Sequence, residues 1–238
     1  MMKDTGFLLV DKPKGITSHD VIDQLRKITG IRKIGHSGTL DPLAEGLLIV
    51  GIGRPATKRL SFFLNLDKEY IAKIRLGAIS DTYDAEGKIT EIENVSPPSL
   101  QKVKKVISKF IGEIDQIPPL FSAKKIRGKK LYELAREGKK IKVEPKKVKI
   151  FNIEILDYKF PYLTIKVNCS SGTYIRSLAH DIGQKLGCGG YVEELSREKI
   201  GKFSRKKAKK LSEITKENWR NFLFDIKEYD EKSSLNKR

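Results

Sequence analysis

Asp41 stands within Gly35-His36-Ser37-Gly38-Thr39-Leu40-Asp41-Pro42-Leu43-Ala44-Glu45-Gly46-Leu47-Leu48. A carboxylate held still in such a stretch could act as a nucleophile or a base. The glycines and the proline exclude one regular helix or strand across it. Leu40, Leu43, Leu47 and Leu48 are too apolar for a solvated loop, so the spacing predicts a loop pressed into a cleft. Pro42 biases Asp41 away from helical angles. The plainest reading of Asp41 is a turn former, and the sharper one is a catalytic carboxylate.

Two further residues could work with it. Arg176 falls in the first turn of an expected helix, where the helix dipole disfavours a cation. A carboxylate or phosphate partner should therefore reward it. Tyr70 opens an expected half-buried strand, which normally means a core ring with its hydroxyl at the rim. Metal chemistry has less support. The acidic turn Ser80-Asp81-Thr82-Tyr83-Asp84-Ala85-Glu86-Gly87 lacks EF-hand spacing. Cys169 and Cys188 form no CxxC pair, and His19, His36 and His180 are scattered, so no metal site is expected.

Elements that alternate between strand and helix periods must position these groups. Phe7 to Val10 reads as a buried strand. Ser18 reads as the N-cap of a helix carrying Val21, Ile22, Leu25 and Ile28. After the Asp41 stretch come a strand at 49–53, a helix from Pro55 to about Asn65, and a strand at 68–77 with Tyr70, Ala72, Ile74 and Leu76 on one face. A short strand at 89–92 and an amphipathic helix from Leu100 to Phe110 follow. Then come strands at 148–156 and 162–169, and a helix whose stripe is Ile175, Leu178, Ala179, Ile182 and Leu186. Tyr191 to Leu195 is a strand, and Trp219, Phe222 and Leu223 lie on an expected last helix.

The 238 residues carry a formal net charge of +18, which folding does not need and which points to a polyanionic partner. Lys12 and Lys14 read as loop lysines able to touch phosphate. Residues 124–149 are dominated by Lys and Arg, with a short helix expected at 131–136, and read as a basic flap that brings Lys124 and Lys125 to a polyanion. The chain has no apolar run long enough for a membrane span and no secretory pattern. The expectation is a cytoplasmic, reduced protein.

Several blocks resemble one family in sequence order. The Gly35-to-Leu48 stretch resembles the signature of the TruB-type tRNA pseudouridine synthases. So do Asp11-Lys12-Pro13-Lys14-Gly15-Ile16-Thr17-Ser18, Asp67-Lys68-Glu69-Tyr70, Gln116-Ile117-Pro118-Pro119-Leu120-Phe121-Ser122-Ala123-Lys124 and Cys169-Ser170-Ser171-Gly172-Thr173-Tyr174-Ile175-Arg176. The resemblance implies an α+β pseudouridine synthase fold, with a long, mixed, mainly antiparallel sheet, flanking helices and a central RNA-binding cleft. It implies conversion of uridine to pseudouridine at position 55 in the T-loop of tRNA. The family's catalytic aspartate falls on Asp41, its active-site tyrosine on Tyr70 and its aspartate-pairing arginine on Arg176. His36, Tyr174 and Leu195 match positions around the flipped nucleotide. The chain departs from the family pattern at Pro55, which looks like a one-residue insertion. After Phe203 the sequence is too short for a full PUA-type domain, so the expected division is a catalytic domain over 1–210 and a short helix and polar tail over 211–238.

The chemistry agrees with the resemblance. Moving uracil from an N1 to a C5 bond breaks and remakes one bond to C1′, with no redox change, so no cofactor is expected. Asp41 either attacks C1′ or acts as a base on it, and the motif order leaves both open. A stacked base must be flipped out, at a cost of a few kcal/mol. The expected partner is the tRNA T stem-loop, with the protein itself a monomer. Two rivals stand beside this reading: a non-catalytic RNA-binding or chaperone protein of the same fold, and a pseudouridine synthase acting on ribosomal RNA. A metal-dependent nuclease would need a carboxylate or histidine cluster that the spacing does not supply.

Overall fold

The computed structural model describes residues 4–121 and 143–226, with the backbone alone at 125–126 and 129–130. Lys124 and the expected helix at 131–136 lie outside the described residues, as does the side chain of Lys125. In chain order the first elements are β1 (Gly6–Lys12), α1 (Ser18–Thr29), β2 (Ile34–Ser37), β3 (Glu45–Ile52), α2 (Arg54–Thr57), α3 (Ser61–Leu64), β4 (Lys68–Leu76), β5 (Ala78–Ser80) and β6 (Ile89–Glu91). They are followed by α4 (Leu100–Ile107), β7 (Gly112–Gln116), β8 (Lys125–Ile126), β9 (Lys129–Lys130), β10 (Lys146–Lys159), β11 (Tyr162–Cys169), α5 (Ile175–Leu186), β12 (Gly190–Ile200), β13 (Phe203–Ser204) and β14 (Lys209–Lys210). The architecture is α+β, and its strand pairing is mixed and mainly antiparallel. No helix among the described residues is long and apolar enough to cross a membrane.

The chain forms two compact units, one of residues 1–66 with 196–238 and one of residues 67–195. In the first, β3 pairs antiparallel with β1 and β2, and parallel with the end of β12 at Ser196 and Arg197. Both faces of β1 and β3 are covered. Leu8, Val10, Leu48, Val50 and Ile52 pack with Val21, Ile22, Leu25 and Trp219. Phe7, Leu9, Leu47 and Ile49 pack with Phe63, Phe203 and Ile226. Two-sided burial is why these strands read as continuous apolar runs rather than alternations.

In the second unit, β4, β11, β10 and β7 form an antiparallel ladder in that order. Ala72, Ile74, Leu76, Leu163, Ile165 and Val167 are buried, while Lys73, Arg75, Thr164 and Lys166 between them stay half-exposed. One face of this ladder is core and the other faces solvent. Helices α4 and α5 pack on each other, α4 against β10 and α5 against β4.

Some sequence expectations need correction. Thr17, not Ser18, caps α1: its side chain accepts from the Asp20 amide, and Asp20 returns a bond to the Thr17 amide. The helix expected from Pro55 to Asn65 is two short turns, and Leu64 is exposed. β10 begins at Lys146, so the end of the expected flap is ladder rather than loop. Trp219 is buried, but it sits in a single 3-10 turn, and no α-helix is found among the described residues after α5.

Candidate active-site loop and its anchors

The Asp41 stretch splits into three parts. Ile34–Ser37 is β2, Glu45–Ile52 is β3, and the residues between them are irregular. Asp41 is half-buried there, among buried Leu40, Leu43 and Ala44. The expected apolar-anchored loop is present, although its glycine-rich ends are strands.

Hydrogen bonds from three directions fix the backbone around Asp41. The Ser18 hydroxyl donates to the Leu40 carbonyl at 3.0 Å and accepts from the Leu40 amide at 2.9 Å. The Gly15 amide donates to the Pro42 carbonyl at 2.8 Å. Arg197, only 2% exposed, donates from Nε to the Leu47 carbonyl at 2.8 Å and from its terminal nitrogen to the Gly38 carbonyl at 2.9 Å. One guanidinium thus ties both flanks of the loop. Gly46, at φ +104°, lets the chains approach: a Cβ there would meet the Arg197 carbonyl oxygen at 2.5 Å. Only glycine meets both conditions.

An exposed phosphate contact is the wrong description of Lys12. Its side chain is fully buried, and Nζ donates to the Pro13 and Ile16 carbonyls at 2.9 and 2.7 Å. Burial of an ammonium is tolerable only with such partners, and here they shape the turn that carries Gly15. Lys14 is exposed.

His36 lies on β2 opposite Val50. Burial, reinforced by the Arg197 and His19 charges, pushes its pKa down to about 4, so the imidazole is neutral at neutral pH. Among the described residues its Nδ1 finds no hydrogen-bond partner. A neutral, partly buried ring suits apolar or stacking contact better than phosphate pairing.

The second unit places the other expected residues. Tyr70 is half-buried on β4 opposite Val167 of β11. Tyr174 is the residue before α5, and Gln116 grips its backbone. The Gln116 side chain donates to the Tyr174 carbonyl at 3.0 Å and accepts from the Tyr174 amide at 2.7 Å. Ser177 donates to the Ile117 carbonyl at 2.7 Å. The residues before Pro118 and Pro119 therefore brace the start of α5, which has no side-chain cap. Leu195 is buried on β12.

Arg176 has the carboxylate that its position demands. Its guanidinium donates to Asp84 Oδ2 at 3.0 Å and to the Thr82 and Phe121 carbonyls at 3.2 and 2.8 Å. The other oxygen of Asp84 accepts from the Thr82 hydroxyl at 2.6 Å and the Glu86 amide at 3.1 Å. Both partners are nearly inaccessible, at 6% and 2% side-chain exposure. The acidic turn is thus a receptor for an arginine. Among the described residues, no group of three His, Cys, Asp or Glu side chains could hold a metal ion.

Sequence reasoning missed Arg197, Ser18 in its bridging role, and Asp84. Arg197 had a faint signal, because two-residue alternation puts it on the face of buried Leu195. Asp84 lay in the acidic turn at hand when Arg176 called for a carboxylate.

Comparison with known proteins gives a consistent result. Residues 26–175 match the TruB family pseudouridylate synthase N-terminal domain, and residues 176–231 match a tRNA pseudouridylate synthase B C-terminal domain. The chain is 49% identical over 218 residues to tRNA pseudouridine synthase B of Clostridium tetani, covering 92% of this chain and 75% of that protein. It is 45% identical over 222 residues to the Thermosipho melanesiensis protein of the same name, covering 93% and 72%. Among solved structures, it is similar to a chain in a Cbf5-Nop10-Gar1 complex, with TM-score 0.69 and 32% identity, covering 88% of this chain and 53% of that one. It also resembles a chain in an H/ACA RNP bound to a substrate RNA containing 2′-deoxyuridine, with TM-score 0.65 and 30% identity, covering 87% and 51%. The chain spans about half the length of these solved chains.

Proposed function

The chain belongs to the TruB family of pseudouridylate synthases and is an enzyme that converts uridine to pseudouridine in tRNA; we propose that its target is the T-loop uridine at position 55, reached by base flipping. The observation that carries the proposal is the anchored loop of Asp41. A half-buried carboxylate whose neighbours are tied by Ser18, Gly15 and Arg197 loses little freedom on meeting substrate, and such preorganisation lowers the entropic part of a barrier.

In this reading Asp41 attacks C1′ or acts as a base on it. The N1–C1′ bond breaks, uracil turns, and a C5–C1′ bond forms. The proton on C5 is then removed and N1 takes one up, so the reaction is an isomerisation without a cofactor. Tyr70 offers a ring for the base and a hydroxyl for that proton transfer. Arg176 is the cation that favours an ionised aspartate. His36 fills the space vacated by the flipped base, and its neutrality supports that part. Tyr174 and Leu195 line the nucleotide. Lys14, Lys124 and Lys125 meet phosphates. Residues 1–210 make up the catalytic part, and the protein works as a monomer in the cytoplasm.

The test is incubation with unmodified tRNA, followed by carbodiimide mapping of pseudouridine. One new stop at position 55, lost when that uridine is replaced by cytidine, is expected. Modification elsewhere in tRNA, or only in ribosomal RNA, would overturn the assignment of the target.

A further inference from the structure

Tyr83 sits at φ +64°, one of two non-glycine residues with positive φ among the described residues; the other is Asn94. Asparagine tolerates the left-handed region, whereas a bulky tyrosine rarely enters it. Something must hold Tyr83 there. Its amide donates to the Ser80 carbonyl at 3.2 Å, and its carbonyl accepts from the Val192 amide at 3.0 Å. Its ring lies on that of His180, with centroids 4.0 Å apart and planes 16° apart.

The spacing explains the strain. On α5, Arg176 and His180 are four residues apart and share one face. Tyr83 and Asp84 are adjacent, and in an extended chain adjacent side chains point to opposite sides. The left-handed kink at Tyr83 brings both to the same helix: Asp84 pairs with Arg176, and Tyr83 stacks on His180. Among the described residues His180 Nδ1 finds no hydrogen-bond partner, and burial lowers the His180 pKa, which favours the neutral, flat imidazole.

We propose that the Tyr83–His180 stack is a positioning pair that fixes the register of the 80–87 turn on α5 and so sets the orientation of the Arg176 guanidinium. The consequence for catalysis rests on the reading of Arg176 given above. Neither ring needs to touch RNA.

The experiment pairs a rate with a signal that needs no reaction. His180→Ala removes the plate, and the full chain carrying it is compared with wild type in two measurements. In the first, the Arg176 Nε–Hε resonance of nitrogen-labelled protein is expected to shift or broaden. In the second, the single-turnover rate at saturating tRNA is expected to fall about tenfold, with RNA affinity within twofold. His180→Phe, which restores a plate, should recover both, and Tyr83→Phe, which keeps the ring, should retain them. If His180→Ala does not fold, Tyr83→Asn tolerates the kink without the plate and should show the same two changes. An unmoved Arg176 signal overturns the proposal, whatever the rate does. A moved signal beside an unchanged rate would retain the positioning and remove its catalytic consequence. Wild type that forms no pseudouridine would overturn the reading of the enzyme, while the resonance still decides the positioning.

Discussion

The two compact units hold their key side chains in opposite ways. In the first, neutral backbone is gripped: carbonyls and amides around Asp41 bond to Ser18, Gly15 and Arg197, and the Asp41 side chain takes no part in those bonds. In the second, the side chain proposed to act is itself gripped. Arg176 is buried against Asp84, and its guanidinium also donates to two carbonyls. The first arrangement spreads the work over several modest bonds on a two-sided core. The second concentrates it in one buried ion pair at the end of a helix. Tolerance to substitution should differ accordingly.

Breaking the concentrated arrangement should have the larger effect. Asp84→Ala takes one carboxylate away from the buried Arg176 guanidinium, and removal of one partner from a buried pair costs about 3–5 kcal/mol. Urea unfolding should show that loss, together with a severe loss of activity. Arg197→Ala is expected to cost less, about 2–3 kcal/mol, for two charge-assisted bonds to carbonyls. Faster hydrogen exchange over the 38–47 segment would locate the damage. Ser18→Ala removes a hydroxyl that serves both backbone groups of one residue, and about 1–2 kcal/mol is expected. The Leu40 amide should lose its exchange protection in that variant, while the Asp84 turn keeps its own. Equal destabilisation by all three substitutions would erase the contrast between the units.

Acid should sharpen the same contrast, with a smaller effect. His36 in the first unit has its pKa pushed down to about 4 from an ordinary 6.5. Between those values the unfolded chain binds the proton and the folded one does not, so stability falls as pH drops from 6.5 towards 4. Asp181 in the second unit is pushed up to about 6 from 3.8 by burial. There the folded chain holds the proton, so the same acidification adds stability. Each contribution should be on the order of 1 kcal/mol for these partly exposed groups. His36→Gln should flatten the acid loss of stability, and Asp181→Asn should steepen it. Denaturation curves at pH 4, 5 and 6.5 would separate the two.

The same physics decides what could be read from sequence. Strands with both faces buried, such as Phe7 to Val10, were legible because apolar runs persist whatever the topology. Helices α1 and α5 were legible from their 3.6-residue stripes. The turns after Pro55 and around Trp219 were read as longer helices, because tertiary packing rather than periodicity ends them. Motif order pointed to Asp41, Tyr70 and Arg176, but spacing could not say that a buried lysine shapes the turn before α1, nor that Arg197 reaches across 150 residues to the Leu47 carbonyl. Such long-range polar partners depend on which elements become neighbours, and local pattern carries no record of that. Lys12 was misread for the same reason: one exposed and one buried lysine look alike in a Lys-Pro-Lys turn.

In the proposed function, the anchored loop presents the Asp41 carboxylate to the glycosidic bond. Asp41→Asn keeps the size of the side chain and removes its charge and nucleophile. The most direct measurement is single-turnover pseudouridine formation by this variant on unmodified tRNA, with RNA affinity measured in parallel. The account expects the rate to fall by at least about a thousandfold, some 4 kcal/mol of barrier, with affinity kept within a few fold. A rate within tenfold of wild type would contradict it.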